Sequence, residues 1–293
     1  MTSGPEYIQV EQPFIDQLML MGWKYTTGNL DHPSASGRET FRDVLLEDDL
    51  RSALRRINLD DGGNPWLDEG RLSTAVSALQ KLSSHKLVEA NQEATELLIK
   101  GTPVEGVEGW DHGRSRTVHY IDWDDPENNT FRVVNQFRVD EPGGQAHKFI
   151  VPDLVLFVNG IPLVIVECKS PNISEPMDQG IDQLLRYSNQ RTWVDANEGN
   201  ERLFHTAQFI VSTYYDEARV GTITSKPVHY LEWKDTSPVP MAEVAAALGK
   251  DKLSSQQKLV AGMLRPELLL DIVRHFTLFA EVEGKAVKFV PRY

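Results

Sequence analysis

The stretch IVPDLVLFVNGIPLVIVECKSP, from Ile150 to Pro171, constrains the fold of this chain more than any other. Two runs of apolar and β-branched residues flank the dipeptide Asn159-Gly160, which is the strongest two-residue signal for a β-hairpin. The pattern therefore predicts two antiparallel strands, Phe149 to Val158 and Ile161 to Lys169. Both runs are apolar throughout, so the strands are expected to be buried on both faces of a sheet.

Charged residues end the second of these strands. Glu167 and Lys169 are two apart and project from one face, while Cys168 points the other way. Pairing about the Asn-Gly turn would set Asp153 opposite Val166, next to Glu167. A bulge or a slip of one residue would bring the two carboxylates onto one metal.

Two carboxylates and an amine at this spacing are typical of a phosphodiesterase site. The predicted catalytic residues are Asp153, Glu167 and Lys169. The predicted ligands of a Mg²⁺ ion, which prefers hard oxygen donors, are Asp153, Glu167 and the backbone carbonyl of Cys168. The alternative interpretation is a solvated rim at a strand end. Placing Glu and Lys directly after a buried run costs desolvation energy, which favours the metal site.

The rest of the chain predicts an α/β fold, with a mixed central sheet flanked by helices. The first hundred residues show helical periodicity, with the segments Phe14 to Met21, Arg38 to Ile57, Glu69 to Leu82 and Leu87 to Lys100. Further predicted elements are a hairpin of Thr117 to Trp123 with Phe131 to Val139, a helix from Pro176 to Asn189, and strands at Gln208 to Thr213 and His229 to Trp233. Thr236 to Pro240 is interpreted as a linker, followed by a helical tail.

Composition sets limits on function. The net charge is −13, with 40% hydrophobic and 25% charged residues, as in ordinary globular proteins. An acidic chain is either an enzyme of small molecules or a nuclease whose DNA is held by other parts. The lone Cys168 favours a cytoplasmic location, and no apolar run approaches the roughly 20 residues of a membrane span. The N-terminus shows no signal peptide.

The motif PDLVLFVNGIPLVIVECKSP resembles the N-terminal nuclease domain of the type I restriction enzyme endonuclease (R) subunit, of the PD-(D/E)xK superfamily. The resemblance implies a restriction-endonuclease-like fold and Mg²⁺-dependent cleavage of double-stranded DNA. It also implies specificity and methyltransferase subunits as partners. The family's Gln-x-x-x-Tyr motif matches Gln183 and Tyr187, which would contact DNA or support the active site. We expect both on an exposed helix face.

The resemblance extends to the tail, where Arg274-His275-Phe276 and Lys288 to Tyr293 match the approach to an ATP-driven helicase. It therefore implies a nuclease domain over 1–240 and, over 241–293, a helical linker to a motor that this chain lacks. ATP would serve the full-length subunit, because this chain has no G-x-x-x-x-G-K-[ST] phosphate loop.

Three questions stay open from the sequence. Glu11 is either near the metal, as in some nucleases of this class, or a solvent-facing carboxylate at a helix start. The chain as a whole is alternatively a stand-alone PD-(D/E)xK repair nuclease. From a different class, it is a catalytically silent module that docks a motor to its partners.

Overall fold

A six-stranded mixed sheet forms the centre of the chain, whose structure is a computed structural model describing residues 4, 6–83, 86–108, 114–141, 148–191 and 198–290. The described strands are β1 (Lys24–Thr26), β2 (Thr102–Val104), β3 (Arg116–Val118), β4 (Phe131–Asn135), β5 (Val139–Asp140), β6 (Phe149–Ile150), β7 (Leu154–Val158), β8 (Ile161–Lys169), β9 (Phe209–Tyr214), β10 (Glu217–Gly221), β11 (Leu278–Val282) and β12 (Lys285–Phe289).

The central sheet has the strand order β1-β4-β7-β8-β9-β10. β1 runs parallel to β4 and β8 parallel to β9, whereas the other neighbours are antiparallel. The predicted mixed sheet is confirmed. All nine residues of β8 are buried, as expected for an inner strand covered on both faces.

Helices cover both faces of this sheet. The described α-helices are α1 (Gln12–Leu20), α2 (Glu47–Ile57), α3 (Glu69–Gln80), α4 (Leu87–Lys100), α5 (Pro176–Tyr187), α6 (Met241–Ala247), α7 (Ser255–Ala261) and α8 (Pro266–Phe276). Residues 164–166 of β8 alternate between two cores, because successive strand side chains point to opposite faces. Val164 and Val166 belong to the core cluster that includes residues of α1, α3, α7 and α8, whereas Ile165 belongs to the cluster that includes residues of α5.

The helical prediction for the first hundred residues is only partly right. α3 and α4 lie where they were expected, but residues 38–46 form no helix and β1 is a strand at the sheet edge. The Asp43 carboxylate accepts hydrogen bonds from the backbone N–H and the hydroxyl of Thr40. Such local side-chain bonds compete with helix formation.

The predicted hairpin of Thr117 to Trp123 with Phe131 to Val139 is wrong. β3 pairs with β2, and β4 lies between β1 and β7. Asn129 closes the turn between these segments, since it accepts from the Asp122 N–H and donates to the Asp122 carbonyl. The turn lies where the sequence placed it, but it does not join paired strands.

The segment after residue 240 packs against the sheet and ends in strands. Trp23 Nε1 donates to the Leu264 carbonyl at 3.0 Å, and Gln256 Nε2 to Thr213 Oγ1 of β9 at 3.0 Å. The prediction of a helical tail is therefore wrong in one respect, because β11 and β12 form a hairpin after α8. The division into 1–240 and 241–293 stays a prediction. None of the described helices is long and apolar enough to cross a membrane.

Candidate active site

A one-residue register shift brings Asp153 level with Glu167. Next to the Asn159-Gly160 turn, Val158 pairs with Ile161 and Phe157 with Pro162. Both turn residues have positive φ, 51° and 77°, as a two-residue type I′ turn requires. The predicted Asn-Gly hairpin is therefore confirmed.

Beyond this point the pairing slips. Leu156 pairs with Val164, and the ladder ends at Leu154 and Val166. The irregularity between Leu156 and Phe157 is a β-bulge, in which one strand inserts an extra residue. Continuing the shifted register places Asp153 in line with Glu167, where regular pairing would have set it opposite Val166.

Asp153 lies directly before β7 and is held from both sides. Its Oδ2 accepts from the Cys168 backbone N–H at 2.7 Å, and its Oδ1 accepts from Gln136 Nε2 at 3.2 Å. Burial raises the pKa of Asp153 to about 6, against the opposing effect of Lys169 and of the Cys168 N–H. The carboxylate is thus oriented by its neighbours and is costly to ionise without a cation.

Glu167 is 1% exposed and only half satisfied. Its Oε1 accepts from Lys169 Nζ at 2.5 Å, whereas its Oε2 is buried and accepts from no donor among the residues that the structure describes. Burial and the neighbouring Asp153 raise the pKa of Glu167 well above its ordinary value. A buried carboxylate oxygen without a donor is unfavourable unless another group binds it.

Lys169 is the cation beside these acids. Its side chain is 10% exposed and lies against Glu167. Burial lowers the pKa of Lys169, but the carboxylates of Glu167 and Asp153 outweigh burial and leave that pKa raised. The ammonium therefore stays protonated at neutral pH.

Glu11 belongs to the same acidic cluster. It is 2% exposed, which rules out the solvent-facing interpretation, and its Oε1 accepts from Asn135 Nδ2 at 2.8 Å. Burial raises the pKa of Glu11 to about 7, with a contribution from Asp153. Glu6 lies close by, since its Oε2 accepts from the Ser170 N–H at 2.8 Å.

Sequence reasoning missed three residues of this site: Glu6, Asn135 and Gln136. The last two follow the apolar run of β4, just as Glu167 follows that of β8. A polar residue placed directly after a buried strand is the signal that would have found them. Glu6 carries no comparable signal, because only the folded chain brings it to Ser170.

Gln183 and Tyr187 are hydrogen-bonded to each other and, through the Tyr187 hydroxyl, to the segment that precedes Asp153. Gln183 Nε2 donates to the Tyr187 hydroxyl at 2.5 Å, and that hydroxyl donates to the Val151 carbonyl at 3.1 Å. Tyr187 is 4% exposed and lies in the core beneath α5. The expectation of an exposed Tyr187 is therefore wrong, because its ring completes the apolar face of the helix.

The oxygen atoms of this site can be compared with the ligands of a magnesium ion. Among the described residues, no group of three or more His, Cys, Asp or Glu side chains is placed to hold a metal ion. The predicted set is different, with the carboxylates of Asp153 and Glu167 and one backbone carbonyl, that of Cys168. Hard oxygens of this kind, including the unpartnered Glu167 Oε2, fit the preference of Mg²⁺.

Comparison with known proteins identifies the family. A family model described as the N terminus of the type I restriction enzyme R protein matches residues 8–229. That match covers most of the chain, including the bulged hairpin and the carboxylates. This chain belongs to that family.

Curated relatives in the R protein family agree with this. The chain is 30% identical over 289 residues to the type I restriction enzyme HindI endonuclease subunit of Haemophilus influenzae, which covers 97% of this chain and 25% of the relative. It is 26% identical over 281 residues to the putative MjaIXP endonuclease subunit of Methanocaldococcus jannaschii, covering 92% of this chain and 25% of the relative. The chain thus spans about a quarter of the length of these relatives.

Proposed function

We propose that this chain is the nuclease module of a type I restriction enzyme's DNA-cleaving subunit, a Mg²⁺-dependent endonuclease of the PD-(D/E)xK class. The observation that carries the proposal is the β-bulge, which aligns Asp153 with Glu167 while Lys169 contacts the same glutamate. The names of the relatives, all endonuclease subunits, agree with it.

In this proposal Asp153, Glu167 and the Cys168 carbonyl would hold the ion. A Mg²⁺ ion held there would supply positive charge for the phosphate and would activate water as a nucleophile. Asp153 is oriented for this role by the Cys168 N–H and by Gln136. Glu167 offers the oxygen for which the described part of the chain supplies no donor.

Lys169 supplies a fixed positive charge next to the acids. Because its pKa is raised, Nζ keeps its proton and donates a hydrogen bond. When the glutamate binds a cation, that ammonium is free to orient a water molecule or to stabilise negative charge on a phosphate oxygen.

The proposal also includes a substrate, partner subunits and ATP. Double-stranded DNA is the substrate, and the specificity and methyltransferase subunits are the partners. ATP is used by the rest of the endonuclease subunit, because this chain lacks a phosphate loop.

A Mg²⁺ titration of this chain by calorimetry tests the proposal against a silent docking module. We expect one binding event that is lost in Asp153→Asn and in Glu167→Gln. The exposed Glu243→Gln is the matched control and should bind like the parent. Mg²⁺ binding that is unchanged in Asp153→Asn and in Glu167→Gln would refute the metal site.

A further inference from the structure

Gln136 has an unusual backbone conformation beside the acidic cluster. The ladder between β4 and β7 ends at the pair Asn135 and Leu154, so Gln136 and Asp153 are the next residues along each strand. Gln136 has φ of 47°, in the left-handed region that side-chain-bearing residues rarely adopt. Strained backbone of this kind clusters at functional sites.

The backbone at Gln136 is hydrogen-bonded to the segment that carries Asp153. The Gln136 N–H donates to the Asp153 carbonyl at 2.8 Å, and the Phe137 N–H donates to the Pro152 carbonyl at 3.1 Å. Two successive donors thus meet two successive carbonyls, Pro152 and Asp153. This contact fixes the peptide from which the carboxylate projects.

The side chain of Gln136 is also hydrogen-bonded to Asp153. Nε2 donates to Asp153 Oδ1 at 3.2 Å, while Oδ2 is taken by the Cys168 N–H of β8 at 2.7 Å. The carboxylate is therefore held by donors from the two strands that flank its own. Both donors are neutral amides, so they orient the acid and leave its negative charge for a cation.

The residue type itself points to a role for the amide. Left-handed backbone favours glycine, and asparagine next. Glutamine has neither advantage, yet it occupies this position. Glycine would satisfy the backbone alone, whereas the amide of Gln136 adds the hydrogen bond to Asp153 Oδ1.

We propose that Gln136 is the positioning residue of the metal site, acting through Asp153 on the affinity for the divalent ion. This inference rests on the proposed function. Gln136 fixes the rotamer of Asp153 so that its carboxylate meets Glu167 with little loss of freedom when the ion binds. Groups that orient metal ligands in this way typically change metal affinity by about 10- to 100-fold.

The test measures Mn²⁺ affinity of this chain by calorimetry, together with the thermal midpoint of the metal-free protein. Gln136→Gly keeps the left-handed backbone and removes the amide. Gln136→Met keeps the length and removes the donor. We expect both to bind Mn²⁺ about tenfold more weakly or worse, and Gln136→Gly to melt at nearly the parental temperature.

Tyr215→Gly is the matched control, because Tyr215 is also left-handed, with φ of 44°, but is 52% exposed in the turn after β9. It should bind Mn²⁺ like the parent. Parental affinity in both Gln136 variants would overturn this inference and leave the proposed function standing. Loss of affinity accompanied by unfolding in both variants would show a structural role and overturn it too. If the parent itself shows no Asp153-dependent binding, the proposed function and this inference fall together.

Discussion

Glu167 is the residue whose surroundings most demand a cation. The described residues offer one oxygen of its carboxylate the ammonium of Lys169 and leave the other buried without a donor. Asp153 and Glu11 lie close enough to raise the cost of ionising the cluster. Such an arrangement stabilises the fold poorly and binds a divalent ion well, because the ion removes the repulsion.

This balance predicts how Mg²⁺ and pH act together on stability. The pKa of Asp153 is raised to about 6 and that of Glu11 to about 7, so the folded state holds protons that the unfolded chain releases from about pH 4 upward. The metal-free protein therefore loses stability as pH rises towards about 7. We expect calorimetric melting to show a larger Mg²⁺-induced rise in Tm at about pH 7.5 than at about pH 5. A rise that is independent of pH, or that persists in Asp153→Asn, would contradict this.

Tyr187 acts on the site through the backbone. Tyr187→Phe removes the hydroxyl that donates to the Val151 carbonyl and accepts from Gln183. We expect the unfolding free energy of this chain to fall by about 1 kcal/mol. DNA cleavage by a complete type I enzyme that carries the variant should show a larger relative loss, since Val151 precedes Asp153 by two residues. Tyr230→Phe is the control, because the buried Tyr230 hydroxyl has no hydrogen-bond partner within the described ranges. Cleavage at the parental rate in Tyr187→Phe would exclude the supporting role.

Among the elements, those that depend on neighbouring residues could be predicted from the sequence. Strand pairings between distant segments could not. The Asn159-Gly160 hairpin and the helix beginning at Pro176 follow from neighbouring residues, and both are confirmed. The partner of β4 is instead chosen by burial between β1 and β7, which no local pattern reveals. The bulge could be named as a possibility, but not located, because either strand tolerates an extra residue.

The helix α5 comes unusually close to the strands of the site. At Gly180 a Cβ atom would collide with Ser212 Oγ and lie 3.4 Å from Lys169 Cγ. We expect Gly180→Ala to push the helix away from β8 and β9, to cost about 1–3 kcal/mol, and to displace Lys169, so that cleavage falls.

Chemical denaturation of this chain measures the loss of stability, and a cleavage assay on a complete type I enzyme that carries it measures the loss of cleavage. Ser212→Ala in the same chain removes the colliding hydroxyl and should restore part of both losses. Gly70→Ala in α3 is the matched control, because its nearest neighbour, an Asp68 carboxylate oxygen, is 3.5 Å away. It should be neutral or stabilising. Equal behaviour of the two alanine variants would show that the close approach at Gly180 does not matter.

For the molecule as a whole, the net negative charge opposes binding to DNA. The chain carries a net charge of −13, and Arg191, which follows α5, already pairs with Asp182 and Glu198. Specific affinity for duplex DNA usually needs several cationic contacts to phosphates, each releasing counterions.

We therefore expect this chain alone to bind duplex DNA weakly or not at all in about 150 mM salt, and to cleave little. Fluorescence anisotropy with a labelled duplex measures the affinity, and raising Mg²⁺ should change it only slightly. Tight binding that weakens steeply with added salt would mean that the fold gathers its basic residues onto one face.

The central claim is that Asp153, Glu167 and Lys169 form the cleavage site. It is tested most directly by DNA cleavage in a complete type I enzyme carrying this chain with Glu167→Gln, measured beside ATP hydrolysis. We expect cleavage in Mg²⁺ to be abolished, since the substituted side chain no longer offers a carboxylate, while ATP hydrolysis and the behaviour of Glu243→Gln stay parental. Cleavage by Glu167→Gln at the parental rate would contradict it.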